Sequence, residues 1–548
     1  MYSASAPVLT EATCIHKHPD ADAGRFRAPR ALDTRASCRR QFIRVHLPTT
    51  ALALTSLALA ACTATPGDLR PVPASAAAPP SPDSSDRSVQ ARTEPASGLA
   101  AFPGAEGFGA QATGGRGGRV LVVTSLETRG PGTLQAALDE TGPRTIVFRV
   151  SGVIPGSVQL TSGDVTIAGQ TSPGGITVRG IHTTEEPYCD QACGPNARGV
   201  ENFVIRHLRS RPAGGDFPDG LRLRYARNGI VDHMSIANAS DEAVEISFAR
   251  DITIQYTMLA ETLGEHANLG GMLFNYSNPE AGYDLTRFSI HHNVWNRIDG
   301  RLPELSRESP AAGDTTMALE LSNNLLWDPG YYIDINPTTI SGSPDGAPLL
   351  YDLNWVGNVS VARPDYPYGM IWLPNPTGRS SAYFADNSLS VAPGRHDFQL
   401  WYCCNDYKDV PVPTAPAWAR SERHPFPNIT YTPGAALQEH LLAEVGSFPR
   451  DLMDQRLLAP LKKNQIAQNL RSVNPAGDAL RTLPAPAPPL DSDNDGMPDA
   501  WEAGHGLDPR TQDHNGAQLS LSLLGVAGYT NLECYLDELA RERVQAGR

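Results

Sequence analysis

Four hexapeptides in the middle of this chain share one frame. Asn202–His207 reads N-F-V-I-R-H, Asn228–His233 reads N-G-I-V-D-H, Asp251–Tyr256 reads D-I-T-I-Q-Y and Arg287–His292 reads R-F-S-I-H-H. The fourth position is Ile205, Val231, Ile254 or Ile290, and the sixth is His207, His233, Tyr256 or His292. The intervals are 26, 23 and 36 residues, and Ala226-Arg227-Asn228 returns as Ala249-Arg250-Asp251 in the same register. A strand-bearing unit of this period cannot bury its apolar face alone, whereas stacked units share a continuous core. The repeat therefore predicts an all-β solenoid, a parallel β-helix whose extra length is confined to some turns. A β-sandwich or propeller is the architectural alternative, and a helical solenoid is disfavoured because helix-period runs are missing here. Asn323-Asn324, Asn358 and Asp386-Asn387 extend the series and predict a stack of turn amides hydrogen-bonded from coil to coil. On the same logic His207, His233 and His292 read as a stacked ladder. Asp232 and His291 fall one step out of phase and stay open as candidates for chemistry.

An acid-bearing stretch, Asp219 to Glu245, lies inside this frame. Asp241 and Glu245 are four apart in strand-rich sequence, where side chains alternate, so both are expected on one face. Asp219 stands 26 residues before Glu245, about one coil, and Arg301 stands 56 beyond it, about two coils with an insertion. All four would share one side of the cylinder. Three carboxylates on one patch repel each other unless a cation lies between them, and an all-oxygen donor set favours Ca²⁺. Solvated turn acids on a strand edge fit the same spacing. Two of these acids would also serve a glycoside hydrolase. No Ser-His-Asp order or nucleophile elbow is present.

With 49 Gly, 47 Pro and 19% charged residues, the composition suits a turn-rich extracellular protein. A net charge of −14 argues against a nucleic-acid partner. Arg39-Arg40 precedes the apolar run Ala51–Ala61, which is too short to span a bilayer but suits an export signal. That run ends in Leu59-Ala60-Ala61-Cys62, similar to a bacterial lipobox. Residues 1–62 are thus expected to be an export signal with Cys62 lipidated, giving a protein anchored to the cell envelope or secreted, with no other membrane contact. Residues 63–100 read as a disordered tether. Export permits disulfides; Cys189 and Cys193 frame a loop that could close, Cys403 and Cys404 are adjacent, and Cys534 is left over. The β-helix is expected over 101–430, a helical extension over 431–482, with helix-like spacing at 436–445 and 451–470, and a small helical module over 483–548. In that module Asp491, Asp493, Asp495, Asp499 and Glu502 hold positions 1, 3, 5, 9 and 12 of a calcium loop, with Gly496 at the sharp turn. The Pro-rich lead-in leaves no room for an entering helix, so a lone structural loop is expected.

Ala101-Phe-Pro-Gly-Ala-Glu-Gly-Phe-Gly109, Gly114-Gly-Arg-Gly-Gly118, Ile167-Ala-Gly-Gln-Thr171 and Val231-Asp-His233 resemble family 1 polysaccharide lyases, the pectate lyases, over about residues 101–400. The tail from Asp491 to Glu533 looks like the calcium-loop tail of some bacterial members. The resemblance implies a right-handed parallel β-helix that cleaves an acidic polysaccharide, polygalacturonate, by Ca²⁺-assisted β-elimination. It implies that Asp219, Asp241 and Glu245 are calcium ligands, that Arg301 of the Arg301-Leu302-Pro303 motif is the base, and that Arg307 binds substrate. The family's substrate lysine has no counterpart in Leu263–Gly271, and Phe217 stands where a further acid is usual, with Asp216 next to it. The protein is expected to act as a monomer. Beside the lyase reading stand a β-helical glycoside hydrolase using two of the acids and a non-catalytic surface protein that binds carbohydrate.

Overall fold

The computed structural model describes residues 98–183, 194–262, 270–305, 316–335, 350–372, 380–402, 417–466 and 476–547. These belong to one compact unit, Ala91–Arg548. The export signal, residues 63–97 of the tether, Cys189, Cys193, Arg307, Cys403 and Cys404 lie outside the described residues.

The strands stack as parallel ladders, coil upon coil. Strand Leu221–Asp232 pairs in register with Val244–Gln255, Leu221 opposite Val244 and Asp232 opposite Gln255. Val244–Gln255 in turn pairs with Met272–Phe274 at its start and Thr286–His291 at its end. These strands belong to a 17-stranded sheet, and a second sheet of nine short strands closes the coil. The fold is a parallel β-helix.

The hexapeptide frame is the local reason for this path. Its first residues, Asn202, Asn228, Asp251 and Arg287, have φ of 61°, 52°, 57° and 64°. Its sixth, His207, His233, Tyr256 and His292, have φ of 54°, 51°, 48° and 54°. Left-handed residues turn the chain sharply, and Asn and Asp adopt that region more readily than most side chains. Between the two turns a short strand sends Ile205, Val231, Ile254 and Ile290 inward, all fully buried. The sixth-position rings stack: His207 on His233 at 4.8 Å, His233 on Tyr256 at 5.1 Å and Tyr256 on His292 at 5.1 Å. Burial holds the His207 and His292 imidazoles far below their ordinary pKa, so both are neutral stacking elements.

The next residue along carries the amide ladder. Asn293 Nδ2 donates to Asn324 Oδ1 at 3.1 Å, Asn324 Nδ2 to Asn358 Oδ1 at 3.0 Å and Asn358 Nδ2 to Asn387 Oδ1 at 3.0 Å. Each amide also donates to a buried strand carbonyl, Asn324 to Ile290 O at 2.9 Å. The opening motif lies flat across these coils. Phe108 N donates to Ser289 Oγ at 3.1 Å and Gly109 N to Thr253 Oγ1 at 2.9 Å. A Cβ on Gly109 would sit 2.0 Å from Gly229 O, so only glycine permits this approach.

Helices Gly434–Glu444 and Leu452–Lys462 cover the nine-stranded sheet through Leu437, Leu441, Leu457 and Leu458 against Met258, Val294, Leu325 and Trp327. They start and stop near the positions set by the leucine spacing, though the second is shorter, ending at Lys462. The final helix, Asn531–Gly547, packs Leu532, Tyr535 and Leu536 with Met497 against Val147 and Ala168 of the first coils. Cys534 is a buried free thiol.

Replacing Asn324 by Ala strips the Asn293 amide of its acceptor and the Ile290 carbonyl of a donor. Each orphaned buried group costs about 1–3 kcal/mol. The urea midpoint of Asn324→Ala is therefore expected to fall clearly below that of the parent protein; an unchanged midpoint would show the ladder to be dispensable.

Candidate active site and metal-binding acids

Coil register decides which acids meet. In the Leu221–Asp232 and Val244–Gln255 pair the offset is 23 residues, so Arg222 lies beneath Glu245. The same offset carries Asp219 to Glu242. Asp219 Oδ1 accepts a hydrogen bond from Glu242 N at 3.1 Å, and Asp219 Oδ2 accepts one from Arg222 Nε at 2.7 Å. Asp219, Asp241 and Glu242 each present an oxygen within 4.8 Å of the other two. Glu245 stands next to them but is already engaged. Its Oε1 accepts from Arg224 Nε at 2.7 Å and Ser247 Oγ at 3.0 Å, and its Oε2 pairs with Arg222 Nε at 2.8 Å.

The structure thus brings Asp219 and Asp241 together as the sequence predicts, and adds Glu242 where Glu245 is expected. The physical reason is that Asp241 lies in the turn before the strand that begins at Val244, so strand alternation does not put it on a face with Glu245. Asp216 is exposed and stays outside the cluster, while Phe217 stacks on His182 at 4.6 Å beneath the Arg222 guanidinium.

Arg301 comes in from two coils further on. Gly270 bridges to Gly300, and Met272 N donates to Arg301 O at 2.7 Å, so residue 301 sits above the turn that follows Glu242 by one coil. A Cβ on Gly271 would meet Arg301 O at 1.9 Å, which makes glycine a requirement of this stacking. The Arg301 guanidinium contacts Glu242 through Nη1 and donates from Nε to Glu304 Oε2 at 3.2 Å. Asp219, Asp241, Glu242, Glu245 and Glu304 here face Arg222, Arg224 and Arg301. Carboxylates outnumber guanidinium groups here, and Asp334 beside Glu304 adds a further acid. Burial, with Glu245 and Asp241 adding to it against the pull of Arg222, pushes the Asp219 carboxyl up to about 7.

The tail loop forms a second acidic cluster. Asp491, Asp493 and Asp495 bring oxygens within 4.8 Å of one another, and so do Asp495, Glu502 and Asp513. Asp499, expected as a ligand, is turned away. It opens helix Asp499–Gly504 and accepts from both Ser492 N and Ser492 Oγ at 2.7 Å, closing the loop as a turn clamp. Burial and the neighbouring acids push Glu502 up to about 8. Asp513 is not foreshadowed by the loop motif, which ends eleven residues earlier.

No protein-family model matches the chain. It is 30% identical over 464 residues to a probable pectate lyase C of Aspergillus fumigatus, covering 82% of this chain and 96% of that protein. It is 29% identical over 466 residues to a probable pectate lyase C of Aspergillus terreus, covering 81% and 94%. The chain belongs to the pectate lyase family. Solved structures similar to it include the cedar pollen allergen jun a 1, at TM-score 0.41 and 14% identity over 63% of this chain and 92% of that one. A pectate lyase from Bacillus sp. N165 in complex with trigalacturonate gives TM-score 0.38 and 13% identity over 62% and 98%. Membership makes this chain a polysaccharide lyase, and decides against the glycoside hydrolase and the non-catalytic binding protein that the acids alone left open.

Around the Asp219–Asp241 cluster, sequence reasoning missed Glu242, Arg222, Arg224, Glu304 and Asp334. Glu242 had a signal: it follows Asp219 by 23 residues, the interval that separates Asn228 from Asp251. Asp334 lies one coil beyond Glu304, in register with it. Its Oδ1 is buried without a hydrogen-bond partner. Burial first and Glu304 second push its carboxyl up to about 8. A folded-state pKa above the unfolded value means that ionising Asp334 opposes folding. The penalty is absent below the unfolded value of 3.8, grows as pH rises, and levels off above about 8. Asp334→Asn is therefore expected to melt like the parent at pH near the unfolded value and higher than the parent at alkaline pH. An equal difference in Tm at both ends would contradict this.

Proposed function

We propose that this lyase cleaves pectate, or a closely related uronan, by β-elimination at the Asp219–Asp241–Glu242 cluster, with Arg301 as the base that removes the C5 proton. The relatives are named for pectate, and the missing lysine in 263–271 and Phe217 leave room for a related uronan. One observation carries the reading: a close-set trio of carboxylates, Asp219 and Glu242 buried and Asp241 partly so, of which Glu242 contacts the guanidinium of Arg301.

The donors fit calcium: they are oxygens only, close-set, partly buried and net negative. Bound there, the ion would reverse the local sign and draw charge toward the substrate carboxylate, acidifying the C5 proton. The chain's own residues do the rest. Arg222 and Arg224 hold Glu245 and, with it, the wall of the site. Glu242 and Glu304 fix the Arg301 guanidinium from two sides, leaving it one orientation. To act as the base, Arg301 must first pass one guanidinium proton to solvent, a loss that a cation on the neighbouring acids would favour. The neutral guanidine then takes the proton from C5, the C5–H electron pair forms the C4–C5 double bond, and the electron pair of the C4–O4 bond leaves with O4, which takes a proton from water. The product carries a 4,5-unsaturated end. Tyr331 stands three residues before Asp334 as Arg301 stands three before Glu304, so it follows Arg301 by one coil. Its ring is stacked on Tyr332 at 3.9 Å and packed edge-on against Tyr368 at 4.8 Å. Arg307 as a second substrate contact belongs to the same reading, on sequence alone. So does export through residues 1–62 with lipid anchoring at Cys62.

Arg301→Lys keeps the charge but loses the planar fork that meets two carboxylates at once. Its turnover, followed by the ultraviolet absorbance of the unsaturated product, is expected to fall by about two orders of magnitude or more, with calcium affinity nearly unchanged. Near-normal turnover at saturating uronan, with only a raised KM, would make Arg301 a binding residue and sink its role as base.

A further inference from the structure

We propose that Asp513 supplies a carboxylate to the cation site of the tail loop in the place expected for Asp499, and that the bound ion thereby clasps the C-terminal module to the first coil of the β-helix. The inference rests on reading Asp491–Glu502 as a calcium loop and goes beyond that reading in its ligand set and in what the ion does.

Unsatisfied oxygens point to a ligand at this place. Glu502 is fully buried, and neither of its carboxylate oxygens has a hydrogen-bond partner. Asp491 Oδ1, Asp493 Oδ2 and Asp513 Oδ1 are likewise shielded from solvent without a partner, and all belong to the two overlapping trios that share Asp495. Burying one unpaired carboxylate is costly; converging several on one point requires a cation between them. Every donor is an oxygen, which selects a hard ion of the size and adaptability of Ca²⁺. Asp499 is not among the acids whose oxygens converge, and each of its carboxylate oxygens is held by Ser492.

Asp513 is aimed at the loop by its own backbone. Its N–H donates to Asp495 Oδ2 at 3.2 Å, and its carbonyl accepts from Gly516 N at 2.7 Å and Asn531 Nδ2 at 3.0 Å. Gln512 Nε2 donates to the Asp493 carbonyl at 2.6 Å. The same segment grips the body. Asn515 Nδ2 donates to Gly118 O at 3.0 Å and His514 Nε2 lies 3.3 Å from it, immediately before strand Arg119–Val123. On the other side Arg149 Nη2 donates to Asp491 O at 3.0 Å. An ion held by both the loop and residue 513 ties together two segments that each touch the first coils. Ion occupancy then reports on closure of the β-helix end.

The test uses the full chain in an Asp241→Asn background, so that the lyase acids contribute no calcium signal, with calorimetric titration of CaCl₂ into chelator-treated protein. Asp513→Asn is expected to weaken calcium binding by at least about tenfold, the loss that even supporting residues of a metal site produce, and Asp499→Asn to leave it within about twofold of the background. In EDTA, Asp513→Asn should melt no lower than the background, because it removes one of several like charges; this separates ligand loss from misfolding. Hydrogen exchange supplies the second readout: calcium should slow exchange of the Arg119–Val123 amides in the background protein and not in Asp513→Asn. The inference is overturned if Asp513→Asn binds calcium like the background, or if Asp499→Asn is the variant that loses it. A background protein that takes up no calcium at all sinks the loop reading itself, and this inference with it.

Discussion

Hydrogen bonding between successive coils is the constraint on which the rest of this molecule depends. In a parallel stack each residue's neighbours are set by the local coil length, and a slip of one residue would exchange inward for outward side chains along a whole strand. Where that length is 23, Asp219 meets Glu242 and Arg222 meets Glu245. The first contact stacks acid on acid, the second an arginine beneath an acid. The left-handed corners at His207, His233, Tyr256 and His292 keep these coils in step, and from Asn293 onward the asparagine ladder continues the lock, since each amide bonds the coil ahead and a carbonyl of the coil behind.

That lock is what allows carboxylates to be held close together. Free in solution, Asp219, Asp241 and Glu242 would move apart; on a stacked backbone they cannot, and the repulsion is carried as unmet charge. Three arginines compensate part of it, which holds Glu245 and Arg301 in place and leaves carboxylates in excess. The tail loop shows the same principle with fewer arginines: Arg149 alone meets Asp491, and buried oxygens remain without donors. One cluster touches the Arg301 guanidinium through Glu242. The other lies beside the first coils, within reach of Gly118 and Arg149.

Much of this was legible before any coordinates. The hexapeptide frame announced the coil, the stacked rings and the asparagine ladder, because each has a period in the chain. The leucine spacing announced the helices Gly434–Glu444, Leu452–Lys462 and Asn531–Gly547. Asp219, Asp241 and Arg301 are picked out by spacing and resemblance together. Glu242 is not, because the 26-residue interval from Asp219 points to Glu245 where the local coil has 23 residues, and because Asp241 lies in a turn, where strand alternation does not hold. Asp334 and Asp513 carry no motif: their importance comes from what surrounds them after folding, which spacing does not encode. Asp499 satisfied the loop pattern while its side chain was needed to close a turn.

The central claim is that Asp219, Asp241 and Glu242 together hold the cation that makes elimination possible. The most direct measurement is an anomalous difference map from crystals of the protein grown with calcium or a lanthanide in its place. The account predicts a peak bounded by carboxylate oxygens of these three residues, with Glu245 still held by Arg222 and Arg224. A map with no peak there, or with the ion ligated by Glu245 and its arginines displaced, would contradict it.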